Sequence, residues 1–169
     1  MNGDMSVMGK NRGCYALAGL LVVVDQTTKG WASYAMANGE AIPITEFFNL
    51  VHVRNDGAAF SLLAGSGHWA RVGLILIALA VSAWIAGALR QSARRPEALG
   101  LSLILGGAIG NVLDRILRGA VIDFLDIHWR GMHWPAFNLA DVAICVGVIC
   151  LIAFTFSQVR PIRSSGTVG

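Results

Sequence analysis

The chain has 169 residues, of which 55% are hydrophobic and only 14% charged, and its formal net charge is +3. Soluble domains carry about 25% charged residues, so a chain with mean hydropathy +0.61 needs lipid as part of its solvent. The basic residues are few and scattered, which argues against a nucleic-acid footprint, and the length fits one domain over residues 1–169.

Residues 1–12 are polar and end on Lys10 and Arg12; residues 1–10 are expected to be a disordered tail. An apolar run over 13–24 follows. Tail and run together look like a secretory signal peptide, and Ala35-Met36-Ala37 offers an A-x-A pattern. Asp25 and Lys29 stand between run and pattern, however, where a signal peptide passes quickly from apolar core to cleavage. The reading adopted is a retained membrane helix over about 13–35. Asp25 would then lie inside it, roughly 18 Å from Gly13 at ~1.5 Å per residue.

Residues 39–68 do not read as a membrane span. They contain Pro43, Glu46, the alternating run Leu50-Val51-His52-Val53-Arg54 and the turn dipeptide Asp56-Gly57, which predicts a small sheet on the membrane surface. Residues 72–89 are uncharged and as a helix are about 27 Å long, enough to cross a hydrocarbon core. This second span, about 69–89, is followed by Arg90, Arg94, Arg95 and Pro96. The third, about 98–115, carries Gly106, Gly107 and Gly110 in a small-xxx-small pattern that lets helices approach closely, and it ends on Asp114 and Arg115. The fourth, about 139–159, is closed by Arg160, Pro161 and Arg163, and residues 162–169 are expected to be disordered.

Four spans put both termini on one side. That side, residues 1–12, 90–97 and 160–169, holds seven Lys or Arg in 30 residues, whereas the other side holds six in about 75. Short basic loops stay in the cytoplasm, so the termini are assigned there. Trp31, Trp69, Trp129 and Trp134 then fall at the outer interface and Trp84 near the inner one, as an aromatic belt.

This orientation gathers polar residues in one outer layer. Asp123 and Asp141 flank the segment between the third and fourth runs, each set against apolar neighbours. Asn111, Arg115, Asn138, Asp25 and Asn55 come to the same depth from other segments. An ionisable residue at a membrane edge is costly unless it is paired or used. Two carboxylates close together share a proton. One can activate a water while the other donates to a carbonyl oxygen, which is aspartic-protease chemistry without a metal or cofactor. Plainer roles are open for each residue. Asp141 suits a helix N-terminus, Arg115 can pair with Asp114 or with lipid phosphate, Asp25 and Lys29 form an i,i+4 pair, and Asn55 can serve the turn before Gly57. His52, His68, His128 and His133 lack metal-ligand spacing and read as interface residues. Cys14, Cys145 and Cys150 lie in apolar runs and read as small buried hydrophobes. A competing function for the same cluster is an intramembrane ion-binding or transport protein; a metal-dependent lipid-head-group enzyme is a third.

Five boxes then carry a resemblance: D-Q-T-T-K (25–29), N-D-G-A-A-F-S (55–61), G-G-A-I-G-N-V-L-D-R (106–115), V-I-D-F (121–124) and F-N-L-A-D (137–141). In order and spacing they resemble the bacterial lipoprotein signal peptidases, signal peptidase II, from about residue 14 to 159. The resemblance implies an α-helical integral membrane protein with four transmembrane helices and a small periplasmic β-sheet on the membrane surface, in the bacterial inner membrane, with its active site at the periplasmic face. It implies an aspartyl endopeptidase that removes the signal peptide from prolipoproteins, cutting before a diacylglyceryl-modified cysteine. It assigns Asp123 and Asp141 as the catalytic pair and Asn55, Gly57, Asn111, Arg115 and Asn138 as substrate-binding. Asp25, Lys29 and Asp114 become structural supports of the site. Expected partners are prolipoproteins, membrane lipids and globomycin-type inhibitors, and the chain is expected to act as a monomer. Two departures stand out: Thr27 is polar where an aliphatic residue is common, and Asp56 replaces a usual Thr or Lys.

Overall fold

The computed structural model describes residues 11–57, 67–92 and 94–158. The two expected disordered tails, and positions 58–61 of the second box, lie outside these residues. The described chain forms four long helices and one four-stranded sheet: α1 (Arg12–Ala35), β1 (Ala41–Thr45), β2 (Phe48–Asn55), α2 (Gly67–Gln91), α3 (Arg95–Leu117), β3 (Val121–Trp129), β4 (Met132–His133) and α4 (Leu139–Gln158).

Three helices are long and apolar enough to cross a membrane: His68–Gln91, Arg95–Leu117 and Leu139–Gln158. Helix α1 is equally long, at 24 residues, but carries Asp25, Lys29 and the polar stretch between them. Both charges face inward, Asp25 2% and Lys29 0% exposed, while Leu20 and Val23 face outward, at 59% and 61%. The helix thus shows an apolar exterior and a charged interior, the reverse of a soluble amphipathic helix.

Helix α3 is central and packs against α1, α2 and α4. Its glycines are what permit this. A Cβ on Gly106 would lie 2.8 Å from the Ala18 carbonyl oxygen of α1, and one on Gly110 would lie 2.5 Å from Asp25 Oδ2. Backbone therefore meets backbone and carboxylate with no side chain between them. At one end of the bundle Ala18, Ile85, Leu89, Ala98, Leu101 and Leu105 join α1, α2 and α3 in an apolar cluster.

At the other end sits the sheet, antiparallel in the order β1-β2-β3-β4. The expected strands within 39–68 form its β1–β2 hairpin. Asp123, expected at the edge of a membrane helix, lies instead on β3, paired along β2 with Asn55 opposite Val121 and Val53 opposite Asp123. Phe124 of β3 packs with Ala32 and Met36 from the end of α1, which fastens sheet to bundle. Because side chains alternate across a strand, Val121, Asp123 and Ile127 turn to the opposite side and line a cavity.

Candidate active site

The second carboxylate is placed by local helix chemistry. Asn138 precedes α4, and Asp141 is in its first turn. The Asp141 N–H donates to Asn138 Oδ1 at 3.0 Å, and the Asn138 N–H donates back to Asp141 Oδ2 at 3.2 Å. This is a reciprocal capping box built from Asn and Asp. It satisfies two donors at the helix start and locks the Asp141 side chain. Asp141 is accordingly a first-turn acid and Asn138 the capping residue.

The same amide holds the first carboxylate. With its oxygen taken by Asp141 N–H, Asn138 turns its Nδ2 to Asp123 Oδ1 at 2.6 Å. Three strand-like bonds make this possible: Phe124 and Leu125 N–H donate to the Phe137 carbonyl at 3.0 and 2.9 Å, and Phe137 N–H donates to Leu125 O at 3.0 Å. They lay the 134–138 segment along β3. The other Asp123 oxygen accepts Asn55 Nδ2 at 3.1 Å, while Asn55 Oδ1 receives the Gly57 N–H at 3.1 Å. Asn55 therefore both stabilises its turn and holds Asp123.

Asp123 is 2% exposed. Burial, and next the negative charge of Asp141, push its carboxyl up to about 6 against the opposing pull of the two amides and Lys29. Asp123 therefore retains its proton into the pH range just below neutrality.

A buried charge cluster stands behind Asp141. Lys29 Nζ uses all three of its protons, on Asp25 Oδ2 at 2.9 Å, Asp114 Oδ2 at 2.9 Å and Asn111 Oδ1 at 2.8 Å. The last contact faces the Asn111 carbonyl toward Lys29, so its Nδ2 reaches Asp141 Oδ1 at 2.8 Å. Asp25 Oδ1 accepts the Ala140 N–H at 3.0 Å and Asp114 Oδ2 accepts the Ile122 N–H at 3.2 Å. The cluster thus grips the backbone one residue before each aspartate of the pair. Such a group survives burial because every charge is paired and hydrogen-bonded.

Arg115 does not pair with Asp114; Arg118 takes that position. Arg115 Nη2 donates to the Gly57 carbonyl at 2.8 Å and Nη1 to the Asn111 carbonyl at 3.3 Å, and its Nε finds no partner among the described residues. It lines a cavity of about 690 Å³ together with Asn55, Asn111, Asp123 and Asp141. The remaining wall is apolar, from Val121, Ile127 and residues 134–137 on the sheet side to Val142, Ile144, Cys145 and Val146 on α4. A drug-sized or peptide-sized group fits a space of this kind, apolar walls with a few converging polar atoms. Cys145 is exposed on this wall, and Cys14 and Cys150 are half-buried, Cys14 against the apolar cluster of α1, α2 and α3, so none of the three is fully buried.

Gln26 and Arg118 are site residues that the sequence reading missed. Gln26 Nε2 contacts Asp25 Oδ2 at 3.2 Å, Asp114 Oδ1 at 3.1 Å and the Gly110 carbonyl at 3.0 Å. Gln26 Oε1 accepts Arg118 Nη1 at 2.7 Å. A signal for Arg118 was present, since it stands four residues after Asp114, at helical contact spacing. Among the described residues, no three His, Cys, Asp or Glu side chains come together as a metal-ligand group.

Residues 17–157 match the family model described as signal peptidase (SPase) II. The chain is 46% identical over 152 residues to the lipoprotein signal peptidase of Serratia marcescens, covering 88% of this chain and 89% of the relative. It is 49% identical over 146 residues to that of Cupriavidus pinatubonensis, covering 86% and 83%. Among solved structures it resembles a bacterial membrane enzyme determined by the in meso method at 2.3 Å resolution, with TM-score 0.77 and 29% identity over 86% of this chain and 88% of that one.

Proposed function

The chain belongs to the signal peptidase II family, and from that premise we propose that it is a membrane aspartyl endopeptidase acting on diacylglyceryl-modified prolipoproteins. It cuts the signal peptide just before the lipid-bearing cysteine. The observation that carries the mechanism is the single amide of Asn138, hydrogen-bonded to Asp123 on one side and to the Asp141 backbone on the other. It presents two carboxylates from different elements to one cavity.

In this mechanism Asp141 is the base. It lies in the first turn of α4, where the helix dipole favours negative charge, and it accepts from Asn111 and from the Asn138 N–H. Asp123, more deeply buried, keeps the proton. Asp141 takes a proton from water as the oxygen attacks the scissile carbonyl, and Asp123 donates its proton to the carbonyl oxygen. The tetrahedral intermediate collapses when Asp141 returns its proton to the departing amine of the cysteine and Asp123 recovers its own. Arg115, with donors at the cavity wall, holds a main-chain carbonyl of the substrate.

Membrane placement follows the same reading. The inward charges and outward leucine and valines of α1 support a fourth span beside α2, α3 and α4. The density of Lys and Arg near the termini supports a cytoplasmic location for them. The sheet and the site then face the periplasm from the inner membrane, and exposed Trp129 and Trp134 set the depth of the rim. A lipid-anchored substrate would keep its acyl chains in the bilayer while its scissile bond meets water. The apolar cavity walls suit globomycin-type inhibitors, and the site is complete within one copy.

The test is prolipoprotein processing in detergent or liposomes by Asp123→Asn and Asp141→Asn. Both variants are expected to be folded and to cut no substrate. Substantial processing by either would overturn the dyad. Loss of wild-type activity to a chelator, restored by Mg²⁺, would instead favour a metal mechanism.

A further inference from the structure

The buried cluster is one charge short without a residue that the family boxes do not include. Asp25 and Asp114 carry two negative charges and Lys29 supplies one positive charge. The second positive charge comes from Arg118, paired to Asp114 Oδ1. Arg118 is the C-cap of α3, and its N–H closes on the Asp114 carbonyl at 2.7 Å. Its own carbonyl accepts Arg54 Nη2 at 2.6 Å. The next residue, Gly119, turns the chain with φ +79°, and Arg71 Nη1 donates to its carbonyl at 3.2 Å. Backbone and side chain of Arg118 are thus both fixed where α3 passes into β3, three positions before Val121, the first residue of the strand that bears Asp123.

Asp114 accepts four donors: Lys29 and the Ile122 N–H on Oδ2, Gln26 and Arg118 on Oδ1. Each has a separate consequence. The Lys29 contact leads through Asn111 to Asp141, and the Ile122 contact adjoins Asp123. The Gln26 and Arg118 contacts neutralise and aim the Oδ1 side, and Gln26 closes the ring by accepting from Arg118. The charged groups around this ring are Asp25 and Lys29 from α1, Arg54 from β2, Arg71 from α2, Asp114 and Arg115 from α3, Asp123 from β3 and Asp141 from α4.

We propose that Arg118, held by Gln26, is a positioning residue that keeps the cluster behind the dyad neutral and so sets the pH at which the dyad becomes active. It touches neither substrate nor dyad and acts through Asp114 and Lys29. The proposal rests on the dyad reading above. Without the Arg118 charge the cluster carries a net negative charge, which makes the Asp123–Asp141 pair harder to ionise.

The experiment is the pH profile of prolipoprotein cleavage by the full chain in detergent for wild type, Arg118→Gln, Arg118→Lys and Gln26→Glu, each normalised to folded protein. Arg118→Gln is expected to move the acidic limb upward by roughly one pH unit, the size of one unit charge acting across a partly buried path. Arg118→Lys keeps the charge and is expected to keep the wild-type limb. Gln26→Glu adds a negative charge without changing side-chain size and is expected to shift the limb as Arg118→Gln does, and it serves where Arg118→Gln does not accumulate. A uniform loss of rate with the limb unmoved, in either charge-altering variant, would overturn the proposal. So would an equal shift in Arg118→Lys. Failure of the dyad reading has a different signature, which is activity surviving in Asp123→Asn or Asp141→Asn.

Discussion

Replacing Asp123 by Asn should make the protein inactive and, above neutral pH, relieve a stored cost. The Asp123 carboxyl is raised from 3.8 to about 6, first by burial and then by the charge of Asp141. A carboxyl raised on folding binds more protons in the folded state between those two values, so its contribution to stability falls as pH rises through that window. Above both values the cost is the full shift, about 2 pH units or about 3 kcal/mol. At pH 4 most of it is absent. Asn cannot accept on both sides as the carboxylate does from Asn55 and Asn138, and an amide facing an amide costs about 1–3 kcal/mol at every pH. The net gain at pH 8 is therefore small, but its pH dependence is not. Relative to wild type, Asp123→Asn should become more stable by about 2 kcal/mol between pH 4 and pH 8. Thermal unfolding in one detergent across that range, followed by helical circular dichroism, measures this difference directly. A difference between variant and wild type that stays constant with pH would refute the reasoning, because it would mean that Asp123 is not held protonated by the fold.

Two further substitutions probe the supports. Gly110→Ala places a Cβ 2.5 Å from Asp25 Oδ2 and should cost about 1–3 kcal/mol through overpacking, with reduced cleavage. Gly73→Ala, which meets nothing within 4 Å, should leave both unchanged, and thermal midpoints with cleavage rates check the contrast. Lys29→Met leaves Asp25 and Asp114 buried and facing each other's charge. It should cost about 3–5 kcal/mol, read as a lower thermal midpoint or lower accumulation in membranes.

The helices are legible because their signal is local. An apolar run of membrane length, bounded by Arg, Pro or Asp, marks a helix whatever packs against it, and the glycines of α3 announce the close approach that Gly106 and Gly110 make. The geometry at Asp141 is nearly as local, since Asn138 and Asp141 stand three residues apart at a helix start, and the capping box needs nothing else. Seven polar residues chosen from the sequence, Asp25, Asn55, Asn111, Arg115, Asp123, Asn138 and Asp141, do gather around one cavity and its supporting cluster.

Asp123 was harder to read. The run Val121–Trp129 is buried on both faces near its start, and such a run has no period that separates strand from helix. What makes it a strand is β2, more than sixty residues earlier in the chain, and the 134–138 segment folding back along it. Gln26 and Arg118 were missed for a related reason. A Gln among polar neighbours and an Arg at a helix end look like solvated surface until α1 and α3 are packed together and their side chains meet on Asp114. The sequence by itself determined which residue types are available, where the long helices lie along the chain and how Asp141 is capped, because these depend on contacts within a few residues. Only the tertiary structure decided that Asp123 rides on a strand, that one Asn138 amide serves both carboxylates and that Arg118 balances the charge behind them. Hydrogen bonds and ion pairs between distant segments depend on register and crossing, and neither is written in any one stretch of chain.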